Sequence, residues 1–342
     1  MDSSVLLFGV FTAFILALLA LDLGVLHRER RAIPVSEALI MVAGYVTLAL
    51  VFNASIYLFG EIYGYTTEEK GQRALEFLTG YFIEYALSMD NIMVFVLILA
   101  HFRVPPEYQM RVLVWGIIGA LVLRALFIYA GAALIEQFHW IIIVFGVFLI
   151  FTGIKTLFSG DEEHDLENNS IVKFSRRLIR VTPRYDGDRF FTRENGILFA
   201  TPLFLVLIVL NLTDILFAVD SIPAIFAITR DPFIVYTSNV FAILGLRALY
   251  FALAGMLHQF KFLKIGISLV LVLIGTKMVV NDIYGGKFIP TEYALLATAV
   301  LIFGSVLLSI LHNRMYGIET AEPKGWIPGS PSEEETPRTR DV

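Results

Sequence analysis

The sequence predicts an all-α membrane protein with about nine transmembrane helices, and three observations carry that prediction. Hydrophobic residues make up 57% of the 342 residues and charged residues only 17%, whereas soluble domains average about 25% charged residues. Nine mostly apolar windows of about 20 residues follow one another, each long enough to cross a bilayer. Basic residues gather in alternate connections between these windows. The composition therefore excludes a soluble enzyme, a disordered protein and a nucleic-acid binder.

The first predicted span is a retained helix rather than a signal peptide. Only Asp2 precedes it, and the basic residues Arg28, Arg30 and Arg31 follow it, which is the charge order of a helix whose N-terminus lies outside. The sixth span is long, so we expect it to be tilted, broken or partly interfacial. The nine windows are 4–26, 37–58, 74–100, 110–133, 139–158, 197–228, 233–255, 262–281 and 291–312.

The distribution of basic residues predicts the orientation of the chain. With the N-terminus outside, sixteen Lys and Arg residues fall in inward connections and four in outward ones. This bias favours a multi-pass protein of the inner (plasma) membrane, with an outer N-terminus and a cytoplasmic C-terminus. The four outward residues are Lys70, Arg73, Arg230 and Lys287.

Two polar segments interrupt the apolar pattern. Residues 1–314 are predicted to form the transmembrane domain, which includes a cytoplasmic loop at 159–196. Within that loop, the basic stretch from Lys173 to Arg180 predicts a short amphipathic helix on the anionic inner leaflet. A regulatory role of the loop is the alternative. The Pro-, Ser- and Glu-rich tail, 315–342, is predicted to be disordered.

Two segments of the chain repeat three landmarks in the same order. FIEYALSMDNIMVF at 82–95 aligns with LTDILFAVDSIPAI at 212–225, LRALF at 123–127 with LRALY at 246–250, and GIK at 153–155 with GTK at 275–277. The units are about 74–158 and 197–281, with three spans each. Because three is odd, the second unit enters the membrane from the opposite side. The sequence therefore predicts inverted repeats, which in secondary transporters rock around a central site.

Seven ionisable side chains inside the predicted spans are singled out as candidates for function, because a charge in the bilayer core costs at least about 2.5–3.5 kcal/mol on insertion scales. The two repeats together hold four acids and two arginines, which leaves the two negative charges that one divalent cation neutralises. Protonated acids are the alternative, because buried carboxylates often hold a proton. The arginines are predicted to pair with the acids. The seven are Asp22, Glu84, Asp90, Asp214, Asp220, Arg124 and Arg247.

The mid-span ligand candidates all offer oxygen. The chain has no cysteine and no histidine at mid-span, and oxygen-only sites suit Mn²⁺, Mg²⁺ and Ca²⁺. Asp90 follows Glu84 by six residues, about 120° around an ideal helix, so these two acids should not chelate one ion unless the helix is distorted. Asn239 is predicted to make a packing hydrogen bond, and Lys277 to snorkel at a span end. The further donors are Asn91, Ser88, Ser221, Asn211 and Thr213.

The motifs SMDNIMVF at 88–95 and FAVDSIPAIF at 217–226 resemble the paired signatures of the TerC family of integral membrane proteins. The resemblance extends over about residues 1–315. It implies a transporter related to the LysE exporter superfamily, whose bacterial members are linked to manganese efflux and to tellurium resistance. By this resemblance, Asp90 with Asn91 and Asp220 with Ser221 match the acidic cores of the signatures. Glu84 and Asp214 match the upstream acids.

These observations predict a secondary transporter that exports a divalent metal cation, with manganese favoured, in exchange for protons. The predicted metal ligands are the four repeat acids with Asn91 and Ser221, and Asp22, Asn211, Ser88, Arg124 and Arg247 are accessory. No prosthetic group and no enzymatic activity are expected, and a homo-oligomer is compatible with the sequence. The alternatives are an exporter of a small organic solute, such as a basic amino acid, and a tellurium-resistance membrane partner protein.

Overall fold

A computed structural model gives the architecture of the chain. The structure describes residues 3–21, 34–138, 140–158, 181–194, 197–253, 262–285 and 288–315. Within these ranges, the side chains of residues 3–5, 90, 93, 194 and 220 lie outside the described part. The predicted amphipathic helix near 171–180 and the predicted disordered tail also fall outside the described residues.

The described residues form ten α-helices, one β-hairpin and a short 3-10 turn at Gly60–Tyr63. The helices are α1 (Ser3–Leu21), α2 (Val35–Leu58), α3 (Glu69–His101), α4 (Pro106–Gln137), α5 (Ile141–Phe158), α6 (Pro202–Phe226), α7 (Pro232–Leu244), α8 (Leu246–Leu253), α9 (Leu263–Ile283) and α10 (Thr291–Met315). The hairpin strands are β1 (Phe191–Glu194) and β2 (Ile197–Ala200).

The predicted fold class is confirmed: the chain is an all-α, polytopic membrane protein. Among the described residues, eight helical stretches are long and apolar enough to cross a membrane, and α7 and α8 together count as one of them. Eight of the nine predicted spans correspond to these stretches. The first predicted span corresponds to α1, whose apolar part is shorter over the described residues 6–21.

Two predicted spans differ from the structure in detail. The window 197–228 does not begin as a helix, because its first four residues form strand β2. The window 233–255 holds two helices, which meet at Gly245. Hydropathy detects apolar residues without regard to backbone conformation, so neither the strand nor the interruption was visible in the sequence pattern.

The hairpin closes the segment that leads into α6. Phe191 pairs with Ala200 in an antiparallel register, and the Thr201 amide donates to the Phe190 carbonyl at 2.9 Å. The Tyr185 hydroxyl donates to the Phe102 carbonyl at 2.7 Å, just after the end of α3. Burial raises the pKa of Tyr185 to about 12, so this hydroxyl remains a donor at neutral pH.

Each helix of one predicted repeat unit packs mainly on a helix of the other unit. Helix α3 of the first unit packs on α7 of the second, α4 packs on α6, and the third helices, α5 and α9, pack on each other. Helices α3 and α6 run antiparallel, because Glu76 near the start of α3 contacts Thr229 just beyond the end of α6. Two units related by a twofold axis would produce this pattern, in which the first helix of one unit packs on the second helix of the other and the third helices pack together. The inverted orientation of the repeats across the membrane stays a prediction.

The innermost helices are α3, α7 and α8. Almost all of α7–α8 is buried, whereas most residues of α2, α5 and α10 are exposed or only partly buried. The exposed side chains on the outer helices are large and apolar, for example Ile40, Phe151 and Phe303. In a membrane such side chains face lipid. The polar residues described below are therefore enclosed by an apolar outer layer.

Helices α5 and α9 approach each other closely at glycines. An added Cβ on Gly275 would lie 2.6 Å from the Gly146 carbonyl oxygen and 3.0 Å from the Ile150 amide nitrogen. Both atoms belong to the backbone and cannot swing away. Small residues permit this kind of close helix packing in membranes.

We expect Gly275→Ala to destabilise the protein by about 1–3 kcal/mol, since the backbones of α5 and α9 must move apart to admit a methyl group. Thermal unfolding in detergent measures the change as a lower midpoint. Gly304→Ala on α10 is the matched control, because a Cβ there meets nothing within 4 Å. Equal midpoints for the two variants would show that the α5–α9 contact is not tight.

Candidate functional site

Arg124 lies at the centre of a buried polar cluster. Its guanidinium is 1% exposed, and Nη1 donates to the Glu84 carboxylate and to Ser221 Oγ and Asn239 Oδ1, both at 2.9 Å. Nη2 lies 3.3 Å from Asp214 Oδ1, and Nε lies 3.5 Å from the other oxygen of the same carboxylate. We call these five residues the central cluster.

Four helices supply the central cluster: Glu84 comes from α3, Arg124 from α4, Asp214 and Ser221 from α6, and Asn239 from α7. The Asn239 amide nitrogen donates to the Val235 carbonyl at 3.3 Å, which leaves its oxygen directed at the guanidinium. The cluster therefore ties both predicted repeat units together through one arginine.

The central cluster carries a formal charge of minus one when Glu84 and Asp214 are both ionised. Both carboxylates are at most 2% exposed. Removing two such charges from water is costly, and only close pairing and additional hydrogen bonds compensate for it. Arg124 forms ion pairs with both acids. Its Nη1 also donates hydrogen bonds to Ser221 and Asn239.

Additional polar atoms lie beside the central cluster without a hydrogen-bond partner among the described residues. They include Ser88 Oγ and Asn211 Oδ1. Ser88 lies one turn after Glu84 on α3, and Asn211 lies one turn before Asp214 on α6. Because α3 and α6 run antiparallel, Ser88 and Asn211 both lie farther from the Glu76–Thr229 contact than Glu84 and Ser221 do. Unpaired buried oxygens are costly, and a cation would satisfy them.

The signature acids Asp90 and Asp220 lie within α3 and α6, each six residues after Glu84 or Asp214. Their side chains, and all of Asp22, fall outside the described part of the chain. Their predicted meeting at one metal ion therefore stays a prediction. Asn91 next to Asp90 is buried. Among the described residues, no group of three or more His, Cys, Asp or Glu residues could hold a metal.

The proline in α6 lies beside this predicted site. Pro223 is inside the helix and has no amide hydrogen, so it cannot donate to the Val219 carbonyl as a residue at that position otherwise would. Val219 directly precedes Asp220. The backbone oxygen next to a signature acid therefore lacks its usual helical hydrogen-bond donor.

The structure adds a partner for one residue and corrects the prediction for another. Asn239 was predicted to make a packing hydrogen bond; it makes hydrogen bonds, and one of them is accepted from Arg124 of the central cluster. Lys277 does not snorkel: it is 2% exposed, and its Nζ donates to the Ala227 carbonyl at 3.1 Å. Hydropathy placed Lys277 near a span end, where an exposed amine is the default. Its burial results from the packing of α9 on the end of α6.

A second polar cluster lies at one end of α3 and was not predicted from the sequence. It includes Glu76, which is 3% exposed and lies inside the predicted third span. An available signal was the pair Arg73 and Glu76, spaced by three residues on one helix face. Its tertiary partners were not visible in the sequence.

Comparison with known proteins identifies the family. The sequence profile of the family described as "Integral membrane protein TerC family" matches residues 69–318. This chain belongs to the TerC family. The predicted resemblance is therefore confirmed. The match contains every residue of the central cluster, but α1 and α2 precede it.

Relatives in several bacteria are membrane proteins of similar length. An uncharacterized membrane protein of Myxococcus xanthus is 48% identical over 309 residues, which cover 90% of this chain and 93% of the relative. The Escherichia coli K12 protein Alx, named as a proposed membrane-bound redox modulator, is 43% identical over 314 residues, 90% of this chain and 94% of Alx. An uncharacterized Rickettsia felis membrane protein is 40% identical over 306 residues, 90% of this chain and 98% of the relative. No solved structure matches this chain.

Proposed function

We propose that this TerC family protein is a secondary transporter of the inner membrane that exports a divalent metal cation, with manganese as the favoured ion, in exchange for protons. The observation that carries the proposal is the central cluster. Two buried acids from α3 and α6 share one arginine at the contact between the two predicted repeat units. The proposed orientation has an outer N-terminus and a cytoplasmic C-terminus.

A purely structural role explains the buried charges poorly. Ionisable groups inside a membrane are expensive and usually line substrate or ion pathways. Replacing a buried ion pair by well-packed apolar residues is often neutral or stabilising, so a helix bundle needs no such cluster to stay folded. The packing of each unit's helices on those of the other unit supports a transporter in which the two units move against each other around the site.

The donor chemistry favours a hard cation. The cluster and its neighbours offer carboxylate, hydroxyl and amide oxygens, including the unpartnered Ser88 Oγ and Asn211 Oδ1. The chain contains no cysteine. Such oxygen ligands suit Mn²⁺, Mg²⁺ and Ca²⁺ better than zinc or copper. A cationic amino acid would also suit the acids, so selectivity is a matter for experiment.

Proton exchange supplies the energy in this proposal. Export of a cation against an inside-negative potential costs about 2.3 kcal/mol per charge per 100 mV. The sequence contains no P-loop signature for nucleotide hydrolysis. Carboxylates bind either a cation or a proton, so one or more of the four repeat acids would alternate between the two. Protonation of Glu84 or Asp214 would weaken its pairing with Arg124.

The name of the E. coli relative gives a second candidate, a role in redox modulation. Thiol–disulfide exchange by this chain's own side chains is not available, because none of its 342 residues is cysteine. The central cluster likewise contains no redox-active side chain. The observations on this chain therefore favour the transporter.

Radiotracer manganese flux in proteoliposomes tests the proposal. We expect an imposed pH gradient to drive Mn²⁺ accumulation, and we expect a proton ionophore to abolish it. Empty liposomes are the control, and Mg²⁺, Ca²⁺ and lysine are the competitors. Lysine flux without Mn²⁺ flux would favour the organic-solute exporter. If neither solute moves, while deletion of 159–180 or 316–342 abolishes tellurite tolerance in cells, the partner-protein alternative holds.

A further inference from the structure

The second polar cluster joins the start of α3 to the turn between α6 and α7. Arg73 Nη1 lies 2.8 Å from Glu76 Oε2, and Thr229 Oγ1 donates to the same carboxylate oxygen at 2.7 Å. Arg73 Nε lies 3.7 Å from Asp231 Oδ2. We call these four residues the outer cluster, because the start of α3 faces outward in the proposed orientation.

The groups of the outer cluster are held in place from both sides. Asp231 caps α7 by accepting hydrogen bonds from the Phe233 and Ile234 amides at 2.9 and 3.2 Å. Arg73 lies over the Tyr65 ring, 5.7 Å from its centroid. Burial and the nearby Asp231 carboxylate raise the pKa of the Tyr65 hydroxyl above its ordinary value, so the hydroxyl stays protonated. Arg73 and Asp231 are therefore each held by interactions beyond the ion pair between them.

Few bonds cross between the two sides. Arg73 and Glu76 share one helix, and Thr229 and Asp231 share one turn. The crossing contacts of the described residues include the hydrogen bond from Thr229 to Glu76, the ion pair between Arg73 and Asp231, and a 3.4 Å hydrogen bond from Arg73 Nη1 to Thr229 Oγ1. The Tyr65 hydroxyl also makes a hydrogen bond with Asp231 across the same contact. Opening here would break these contacts and part of the apolar packing of α3 on α7, and it would keep the interactions within each side.

The space between the outer and central clusters is closed. Glu76 precedes Glu84 by eight residues, a rise of about 12 Å along the helix. Between them, a Cβ on Gly80 would lie 2.8 Å from Ile225 Cδ1 and 3.0 Å from Ser238 Oγ. Farther from the outer cluster than Glu84 and Ser221, the oxygens of Ser88 and Asn211 have no hydrogen-bond partner among the described residues. The two ends of the central cluster thus differ.

We propose that the outer cluster is the outer gate of the transport path, closed in this conformation, and this inference rests on the proposed transport function. Opening separates Arg73 and Glu76 from Thr229 and Asp231, which exposes the Gly80–Ser238 contact to the outer solution. The central cluster then releases its cation outward. Closure restores the barrier before the site loads again from the cytoplasmic side.

Single-cysteine labelling tests the gate without any transported ion. The chain contains no cysteine, so Ser238→Cys gives one thiol between the two clusters. A membrane-impermeant thiol reagent is applied to right-side-out and inside-out vesicles. We expect slow outer labelling in the single variant, and at least a tenfold faster outer rate after Arg73→Gln. Thr229→Val is the second variant, used in case Arg73→Gln does not fold.

Lys70→Gln is the matched control. Lys70 pairs with Glu61 at 3.2 Å at the same membrane end, but Glu61 belongs to the 3-10 turn rather than to the second unit. Outer labelling should not change in this variant. Unchanged labelling in folded Arg73→Gln and Thr229→Val proteins would overturn the gate, and so would equal acceleration in Lys70→Gln. The labelling rates are measured without a transported ion. A failure of the proposed manganese transport is therefore distinguished from a failure of the gate.

A reversible cross-link separates a gate from a static brace. In the variant Glu76→Cys with Thr229→Cys, oxidation to a disulfide should stop Mn²⁺ flux in proteoliposomes, and a reductant should restore it. A brace that never opens would lose nothing when cross-linked. Full flux with the disulfide formed would therefore overturn the proposal.

Discussion

Arg124→Gln is expected to destabilise the protein by about 3–5 kcal/mol, the usual cost of breaking a buried ion pair from one side. The substitution leaves the Glu84 and Asp214 carboxylates buried without their guanidinium. A total stability of about 5–15 kcal/mol is ordinary for a folded domain, so the loss is large. Unfolding in detergent, followed by the fraction of monodisperse protein against temperature, measures it.

Two further variants test whether the unpaired negative charges cause the destabilisation. In the triple variant Arg124→Gln, Glu84→Gln and Asp214→Asn, no charge remains at the centre, so most of the stability should return while Mn²⁺ flux stays absent. Arg111→Gln breaks a half-exposed pair with Asp188, 2.7 Å long, and should cost at most about 1 kcal/mol. A stable Arg124→Gln protein would contradict the role given to this cluster.

Asp90→Asn and Asp220→Asn are each expected to reduce Mn²⁺ flux to below about 1% of the wild-type rate. Loss of even an outer-shell partner typically lowers metal affinity 10–100-fold, and these carboxylates are proposed as direct ligands. Asparagine keeps the size and one oxygen but removes the charge that binds the cation or the exchanged proton. Flux in proteoliposomes is measured at equal protein content.

Glu292→Gln is the control for these two variants. Glu292 is an exposed acid in the first turn of α10, so its substitution removes one negative charge at a membrane end rather than at the centre. We expect flux within about twofold of wild type, since surface substitutions rarely have large effects. Retained flux in both aspartate variants would remove Asp90 and Asp220 from the mechanism.

The fold was predictable where a single physical rule decides it. Apolar length alone gives a membrane helix, and eight predicted spans correspond to helical stretches. Strand β2 was not predictable, because Ile197–Ala200 is as apolar as the helix that follows and its conformation depends on pairing with β1. The interruption at Gly245 likewise leaves no mark on hydropathy.

The part of the site that was predictable follows from one rule: a charged side chain buried in a protein is usually paired with an opposite charge. That rule predicted the pairing of Arg124 with acids, but it did not reveal that one arginine serves both Glu84 and Asp214. A hydrogen bond of Asn239 was predicted, but its partner Arg124 lies 115 positions away in the sequence and was not predictable. The outer cluster depends on contacts between residues more than 150 positions apart, such as Glu76 and Thr229, which no local pattern encodes.

Crystals of the protein grown with Mn²⁺ and measured at the manganese absorption edge give the most direct test of the central claim. The account predicts one anomalous peak between α3 and α6, with carboxylate oxygens of Asp90 and Asp220 at coordination distance. Asp90 and Asp220 side chains directed at the surrounding lipid, or a manganese peak away from both helices, would contradict it.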